Sequence, residues 1–395
     1  MVNKHPFLVF CPTRDRPELL FKTLQAISYD CLKKGNYFPE AVIIIDDSIH
    51  KQNQVINRKI TQRKKDLKII YHGREEQRLV IQWLCSKLAI SIHHLKIFIR
   101  ALGSKAWDLG AIRNYILLLA VGWEIKNIIV VMIDDDILLS TPDLDSRRIK
   151  GVLSHVIEVT SRDNSYIVGV NLYGYPDIST LERIFLGFNQ KLGINCFKLP
   201  KRTIHISAGV IAFTAWWAAK MPFPRTYNED WLWLRRCSTL GAHLIQTNPR
   251  AYHCQSTMPL VSRKLLYRES LGEAFFEGWD WAYHNYRNPK YCYTVLRKES
   301  YWVDVIQEEL NYLEKIKGIF IEGAKYCQKN RIQKQLQQTH CIIDKAYSII
   351  KTIQAKKMIR LTNDYIMNTF LWRKIAKKIQ KINTPLSKEI YRLSI

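Results

Sequence analysis

The stretch Ile128–Ile129–Val130–Val131–Met132–Ile133–Asp134–Asp135–Asp136 decides the fold. Its unbroken apolar run reads as a strand covered on both faces, the pattern of a parallel or mixed sheet with helices on either side. The run stops at three carboxylates. Adjacent anions cannot stay in such an interior, because an unpaired buried charge is too costly. The strand is therefore expected to leave the sheet at Asp134, and open α/β sheets place ligands at the carboxyl ends of their strands. Side-chain alternation predicts Asp134 and Asp136 on one side and Asp135 on the other. Two hard oxygen ligands on one side suit Mg²⁺ or Mn²⁺, with a substrate diphosphate completing the shell.

The preceding sequence repeats this design. Phe7–Phe10 reads as a buried strand running into the polar loop Cys11–Pro17. From Glu18 the spacing of Leu19, Leu20, Leu24 and Ile27 is helical. Ala41–Ile45 is a second strand, and it too ends in carboxylates, Asp46 and Asp47. Strand, loop, helix, strand is a βαβ unit with parallel strands and a right-handed crossover. Two strands thus deliver acidic residues to one sheet edge. Lys51–Lys68 is basic and polar, Ile69–Tyr71 is a third strand, and Leu79–Phe98 is helical without clear limits. Asp108–Asn114 opens a helix over Tyr115–Val121. Gly110, Arg113 and Asn114 sit at its start, where a helix N-terminus and an arginine suit a phosphate.

Beyond the triple aspartate, Tyr166–Val170 and Thr203–Ala215 read as strands. The second contains Gly209, and a strand glycine marks close approach of a ligand or another backbone. Asn228 is expected to cap a helix whose first turn carries Glu229 and Asp230. Trp216, Trp217, Trp231 and Trp233 are core residues or, for one or two of them, stacking platforms for a sugar. A strand at His243–Gln246 and a loop at Thr247–His253 follow.

A chain of 395 residues, 47% hydrophobic, holds one large domain with an appendage, or two domains. The net charge of +25 implies an anionic partner: nucleic acid, acidic lipid, an acidic glycan or a phosphorylated substrate. The nine cysteines form no Cys-x-x-Cys pair, which excludes zinc-site spacing and points to reduced thiols. Lys4, Arg14, Asp15 and Arg16 interrupt any apolar leader segment. Glu124, Lys126 and Asn127 break the longest apolar stretch, Tyr115–Ile133. A cytoplasmic protein is expected, soluble or held peripherally on the inner face of a membrane. The character changes near Lys298. Gly323–Ile395 contains three acidic residues, Asp344, Asp364 and Glu389, among many lysines and arginines. The division is therefore 1–297 and a basic, amphipathic helical region 298–395, which suits a solvated face or an anionic membrane surface. No nucleic-acid motif appears.

Over residues 6–256 the motif set resembles the family 2 glycosyltransferases with the GT-A fold. Thr13–Arg14–Asp15–Arg16–Pro17 resembles their first-loop motif, and Asp46–Asp47–Ser48 the acidic strand end that holds uracil and ribose. Gly110 with Arg113–Asn114 resembles their helix start beside the nucleotide. Asp134–Asp135–Asp136 resembles the DxD motif, which binds a divalent metal through the diphosphate. Glu229–Asp230 followed by Arg236 resembles the Glu-Asp motif, whose Asp deprotonates the acceptor hydroxyl; His253 lies where some relatives complete the metal site. The resemblance implies a GT-A-like, Rossmann-type mixed sheet flanked by helices. It also implies a Mn²⁺- or Mg²⁺-dependent, inverting transferase of the hexosyltransferase kind. The donor would be a nucleotide-diphosphate sugar such as a UDP-sugar. The acceptor would be a cell-surface glycan, a lipid-linked glycan or a protein, with Trp231 and Gly209 on its side of the site. The competing expectation is a GT-A scaffold without catalysis that binds an anionic membrane surface or nucleic acid.

Overall fold

A computed structural model describes residues 5–33, 37–99, 108–125, 127–139, 151–174, 206, 209–254, 263–286, 288–324, 330–382 and 386–388. Its centre is an eight-stranded mixed sheet in the order β3-β2-β1-β4-β7-β6-β8-β5. The strands are β1 (Phe7–Thr13), β2 (Ala41–Asp46), β3 (Ile69–His72), β4 (Ile129–Ile133), β5 (Ile137–Leu138), β6 (Tyr166–Gly174), β7 (Val210–Thr214) and β8 (His243–His253). Strands β3, β2, β1 and β4 are parallel, and β7 is antiparallel to β4. Each of the first four is wholly or almost wholly buried, as their unbroken apolar runs require. The register sets Thr13 beside Asp46 and Phe10 beside Met132, so β2, β1 and β4 end together on one rim.

The pleat sorts the core into two halves. Leu8, Phe10, Ile43, Val130 and Met132 face one cluster, while Phe7, Val9, Val42, Ile129 and Val131 face the other. Helices α1 (Pro17–Lys33) and α6 (Val152–Thr160) cover the second cluster. The first is covered by α3 (Arg74–Leu88), α4 (Ile92–Lys96), α5 (Leu109–Val121), α7 (Ala215–Lys220) and α8 (Glu229–Thr239), among others. The polar stretch after Asp47 forms α2 (Lys51–Arg63), and the stretch at Leu79–Phe98 resolves into α3 and α4.

Four local expectations are corrected. The helix expected from Tyr115 begins earlier, at Leu109, because the Asp108 carboxylate accepts the Ala111 N–H (3.1 Å) and caps it. Asn228 does not cap α8 with its side chain; its backbone is left-handed, φ 57°. Thr247–His253 is not a loop but continues β8, with a register shift opposite Val170/Asn171 that absorbs the irregularity. The described strand at Thr203–Ala215 is Val210–Thr214, with Gly209 just before it; residues 203–205 and 207–208 lie outside the described residues.

The helices that follow are α9 (Arg263–Tyr286), α10 (Pro289–Val295), α11 (Glu299–Ala324), α12 (Asn330–Lys351) and α13 (Ala355–Ile379). They pack on the same core as the sheet. On α13, Met358, Thr362, Tyr365, Thr369, Trp372 and Ile379 are buried at helical spacing. Trp372 Nε1 donates to the Ala218 carbonyl (2.9 Å), and its ring meets Phe98 edge-on, centroids 5.1 Å apart. Among the described residues, no helix is long and apolar enough to cross a membrane.

Candidate functional site

At the β1/β2 end of the rim the acidic side chains are held by backbone N–H groups, side-chain donors and arginines. Asp46 is fully buried. It accepts from the Ser48 N–H (2.7 Å), Asn57 Nδ2 (2.9 Å) and the Tyr71 hydroxyl (2.6 Å). Asp15 stands at φ 56°, a left-handed conformation that aspartate tolerates by bonding locally. Its carboxylate accepts the N–H groups of Ile49 and His50 (both 3.1 Å) and so caps α2 from a distance. Burial works against ionisation there, but these donors hold Asp15 below the ordinary carboxylate range. Asp47 sits between Arg14 (3.2 Å) and Arg74 (3.3 Å). Burial nevertheless leaves its pKa raised.

At the centre, β4 ends at Ile133 and the chain turns, with Ile137 N donating to the Asp134 carbonyl (3.1 Å). Strand alternation therefore stops, and the expected split of Asp134 and Asp136 from Asp135 is corrected. Asp135 and Asp136 share Arg16, whose Nη1 lies 3.4 Å and 3.0 Å from them. Asp135 also accepts from Thr13 Oγ1 (2.7 Å). Asp136 faces His253 Nε2 at 3.5 Å. That histidine is positioned by the β5/β8 pairing, which sets it opposite Ile137. The electrostatics differ among the three. Burial pushes Asp135 up to about 7, with Arg16 opposing. Burial pushes Asp134 up to about 6, with Arg113 opposing. Burial is outweighed at Asp136, where His253 and Arg16 hold the carboxyl below its usual range.

Asp134 turns to Arg113, which is 3% exposed on α5. Nη2 of Arg113 lies 3.4 Å from both Asp134 oxygens. Nη1 lies 3.0 Å from Glu229 and 3.6 Å from Asp230, at the start of α8. One guanidinium thus gathers three carboxylates from two distant elements. Burial raises Glu229 above the ordinary range, and the neighbouring Asp230 adds to it. Asp134 and Asp230 keep 28% and 15% of their side chains open to solvent. They are the members of the cluster that face solvent.

The other expected site residues have the following surroundings. Asn114 is fully buried and pins Phe223, donating to its carbonyl (3.0 Å) and accepting its N–H (2.6 Å). A Cβ at Gly110 would run into the Pro224 carbonyl, so close packing of α5 requires glycine. The Gly209 carbonyl accepts the Asp134 N–H (3.0 Å) and anchors the turn. Trp231 is half-buried, edge-on to Phe276. Arg236 is buried in an aromatic cage, bonded to Tyr283 and Tyr293 and lying over Trp279. Arg16 lies within the first-loop motif, where the sequence alone assigns it no role. Its signal was position: three residues past the end of β1, whose neighbouring strand carries the triple aspartate.

Among the described residues no group of three or more His, Cys, Asp or Glu side chains is gathered as a metal cage. Asp136 and His253 still fit a shared ion. The carboxylate is held ionised, the imidazole faces it, and Mg²⁺-type sites need only one or two protein ligands when a diphosphate supplies the rest.

The parallel β3-β2-β1-β4 half, the antiparallel β7 and the helices on both faces make this a GT-A-like fold. No protein-family model matches the sequence, and no curated protein matches it. Among solved structures the chain is similar to a mannosyltransferase from Pyrobaculum calidifontis in complex with GDP-Man and Mn²⁺. Identity is 11% and the TM-score 0.46, over 94% of this chain and 88% of that one. It is also similar to glucosyl-3-phosphoglycerate synthase from Mycobacterium tuberculosis in complex with Mg²⁺ and UDP (13%, TM-score 0.40, 69% and 78%). Mannosyl-3-phosphoglycerate synthase from Rubrobacter xylanophilus is a third (14%, TM-score 0.38, 66% and 71%).

Proposed function

We propose that the chain is a metal-dependent, inverting glycosyltransferase moving a sugar from a nucleotide-diphosphate sugar to a hydroxyl acceptor. The observation that carries this is the Arg113 clamp, which joins the carboxylates ending β4 to those starting α8. Asp230, partly open, takes the proton of the acceptor hydroxyl. Arg113, itself anchored by Glu229, holds it in place. Asp136 and His253 would hold Mn²⁺ or Mg²⁺, which when bound supplies neutralisation of the leaving diphosphate. Arg16, held by Asp135 and Asp136 with 45% of its side chain exposed, is the cation that meets the phosphates. Attack from the face opposite the leaving group inverts the anomeric centre. Arg14, Asp47 and Arg74 shape the nucleotide end, and a uridine donor is the first choice there. The acceptor is a glycan, a lipid-linked glycan or a protein, and the working compartment is the cytoplasm. Residues 1–297 carry this chemistry.

A thermal-shift screen of nucleotide sugars with and without Mn²⁺ tests the binding half. A ligand at a hundredfold over its Kd raises the midpoint by about 4 °C. The expected shift requires Mn²⁺ and disappears in Asp136→Asn. A full donor panel without any Mn²⁺-dependent shift would exclude the proposal.

A further inference from the structure

Helix α13 carries seven lysines and arginines and a single carboxylate, Asp364. On its outer side Met367 and Phe370 are 64% and 54% exposed. Exposed Lys374, Lys377 and Lys378 follow one and two turns further on. Beside it, Trp216 on α7 is 40% exposed, with Lys220 Nζ 4.3 Å over its ring. Between the two helices lies a groove of about 500 Å³, whose lining includes Trp216, Lys220, Leu240, Arg373, Lys377 and Gln380. Among the described residues no carboxylate lines it.

We propose that this face docks on the surface of an anionic lipid bilayer. The chemistry is complementary on both counts. Lysines attract acidic headgroups, while tryptophan, phenylalanine and methionine tips enter the headgroup–acyl boundary. A nucleic acid would use the cations but gain nothing from Met367 and Leu240. The face lies away from the carboxylate rim. Ala215, opening α7, donates to the Ile128 carbonyl (2.9 Å) at the start of β4, about 20 Å of strand from Asp134. Docking therefore leaves the rim open, and the proposal does not depend on sugar transfer.

The test is co-sedimentation of the full chain with vesicles of phosphatidylcholine alone or mixed with phosphatidylglycerol. Binding is expected to the mixed vesicles only, falling with salt. Each lysine near the surface is worth roughly fivefold, so Lys374→Glu/Lys377→Glu should weaken binding by roughly twentyfold or more. Phe370→Ala should weaken it without changing the salt dependence. Lys51→Glu/Lys59→Glu on α2 makes the same change in net charge elsewhere and should leave binding intact. Circular dichroism melts check that each variant is folded. Absence of binding to acidic vesicles overturns the proposal. So does an equal loss in the α2 pair, which would mean bulk charge alone. Tighter binding of polyuridylate RNA through the same lysines at the same salt overturns it as well.

Discussion

Arg113 and Glu229, 116 residues apart in the chain, share a buried ion pair of 3.0 Å, while the other arm of the same guanidinium holds Asp134. The clamp fixes the end of β4 against the start of α8. Removing it should affect fold and chemistry together. Arg113→Met leaves buried carboxylates without a cation and should cost about 3–5 kcal/mol in urea unfolding. Arg113→Lys keeps the charge but loses the two-armed geometry. It should retain most of the stability and lose about a hundredfold in turnover, since a misplacement near 1 Å has that effect. Wild-type turnover in Arg113→Lys would mean that only charge matters.

Asp46 should behave as a fold residue. Its oxygens already accept from a backbone N–H, an amide and a phenol. Asp46→Asn sets an amide donor against such donors and should lower stability by about 1–3 kcal/mol for each bond lost. In the folded fraction, nucleotide-sugar affinity should stay within about twofold, given that the carboxylate has no open side. A hundredfold loss in a fully folded variant would assign Asp46 to the nucleotide instead.

Metal affinity should reside in Asp136 and His253. His253→Ala is expected to raise the Mn²⁺ concentration for half-maximal turnover by about 10–100-fold, the range for losing a positioning or weak ligand. Asp136→Asn should abolish the response to Mn²⁺. Unchanged titration curves in both variants would separate these side chains from the ion.

Acid sensitivity should come partly from His72 on β3. Its Nδ1 lies 2.9 Å from the Tyr115 hydroxyl, and burial lowers its pKa to about 3. Unfolded, it protonates near its ordinary value of about 6.5. The unfolded state therefore binds the extra proton between these values, so stability falls as pH drops through this window. At pH 5 the loss is about 2 kcal/mol. His72→Leu should flatten the fall in melting temperature between neutral pH and pH 5. An unchanged slope would place the acid sensitivity elsewhere.

What the sequence disclosed follows from the kind of signal each element carries. The runs at Phe7–Phe10, Ala41–Ile45 and Ile128–Ile133 were legible because a doubly covered strand must be apolar throughout, and the acids at their ends named the rim. Helix α2 was not, because its cap comes from Asp15, far back in the chain. The β8 extension was hidden by Pro249 and by a register shift that only its partner strand defines. The residue types of the site were visible, but the division of labour was not. Whether a carboxylate faces ligand or backbone depends on its partners: Asp46 turns to Asn57 and Tyr71, and Asn114 to Phe223. Arg16 was hidden for the same reason, since only the turn at Asp134 brings Asp135 and Asp136 to one guanidinium.

The most direct measurement is mass analysis of what the full chain releases from UDP- and GDP-sugars with Mn²⁺ and a hydroxyl acceptor. Free nucleoside diphosphate with the sugar on the acceptor is the expected outcome, lost in Asp230→Asn and in Asp136→Asn. Release of sugar phosphate with nucleotidyl transfer, or turnover that survives both substitutions, would contradict it.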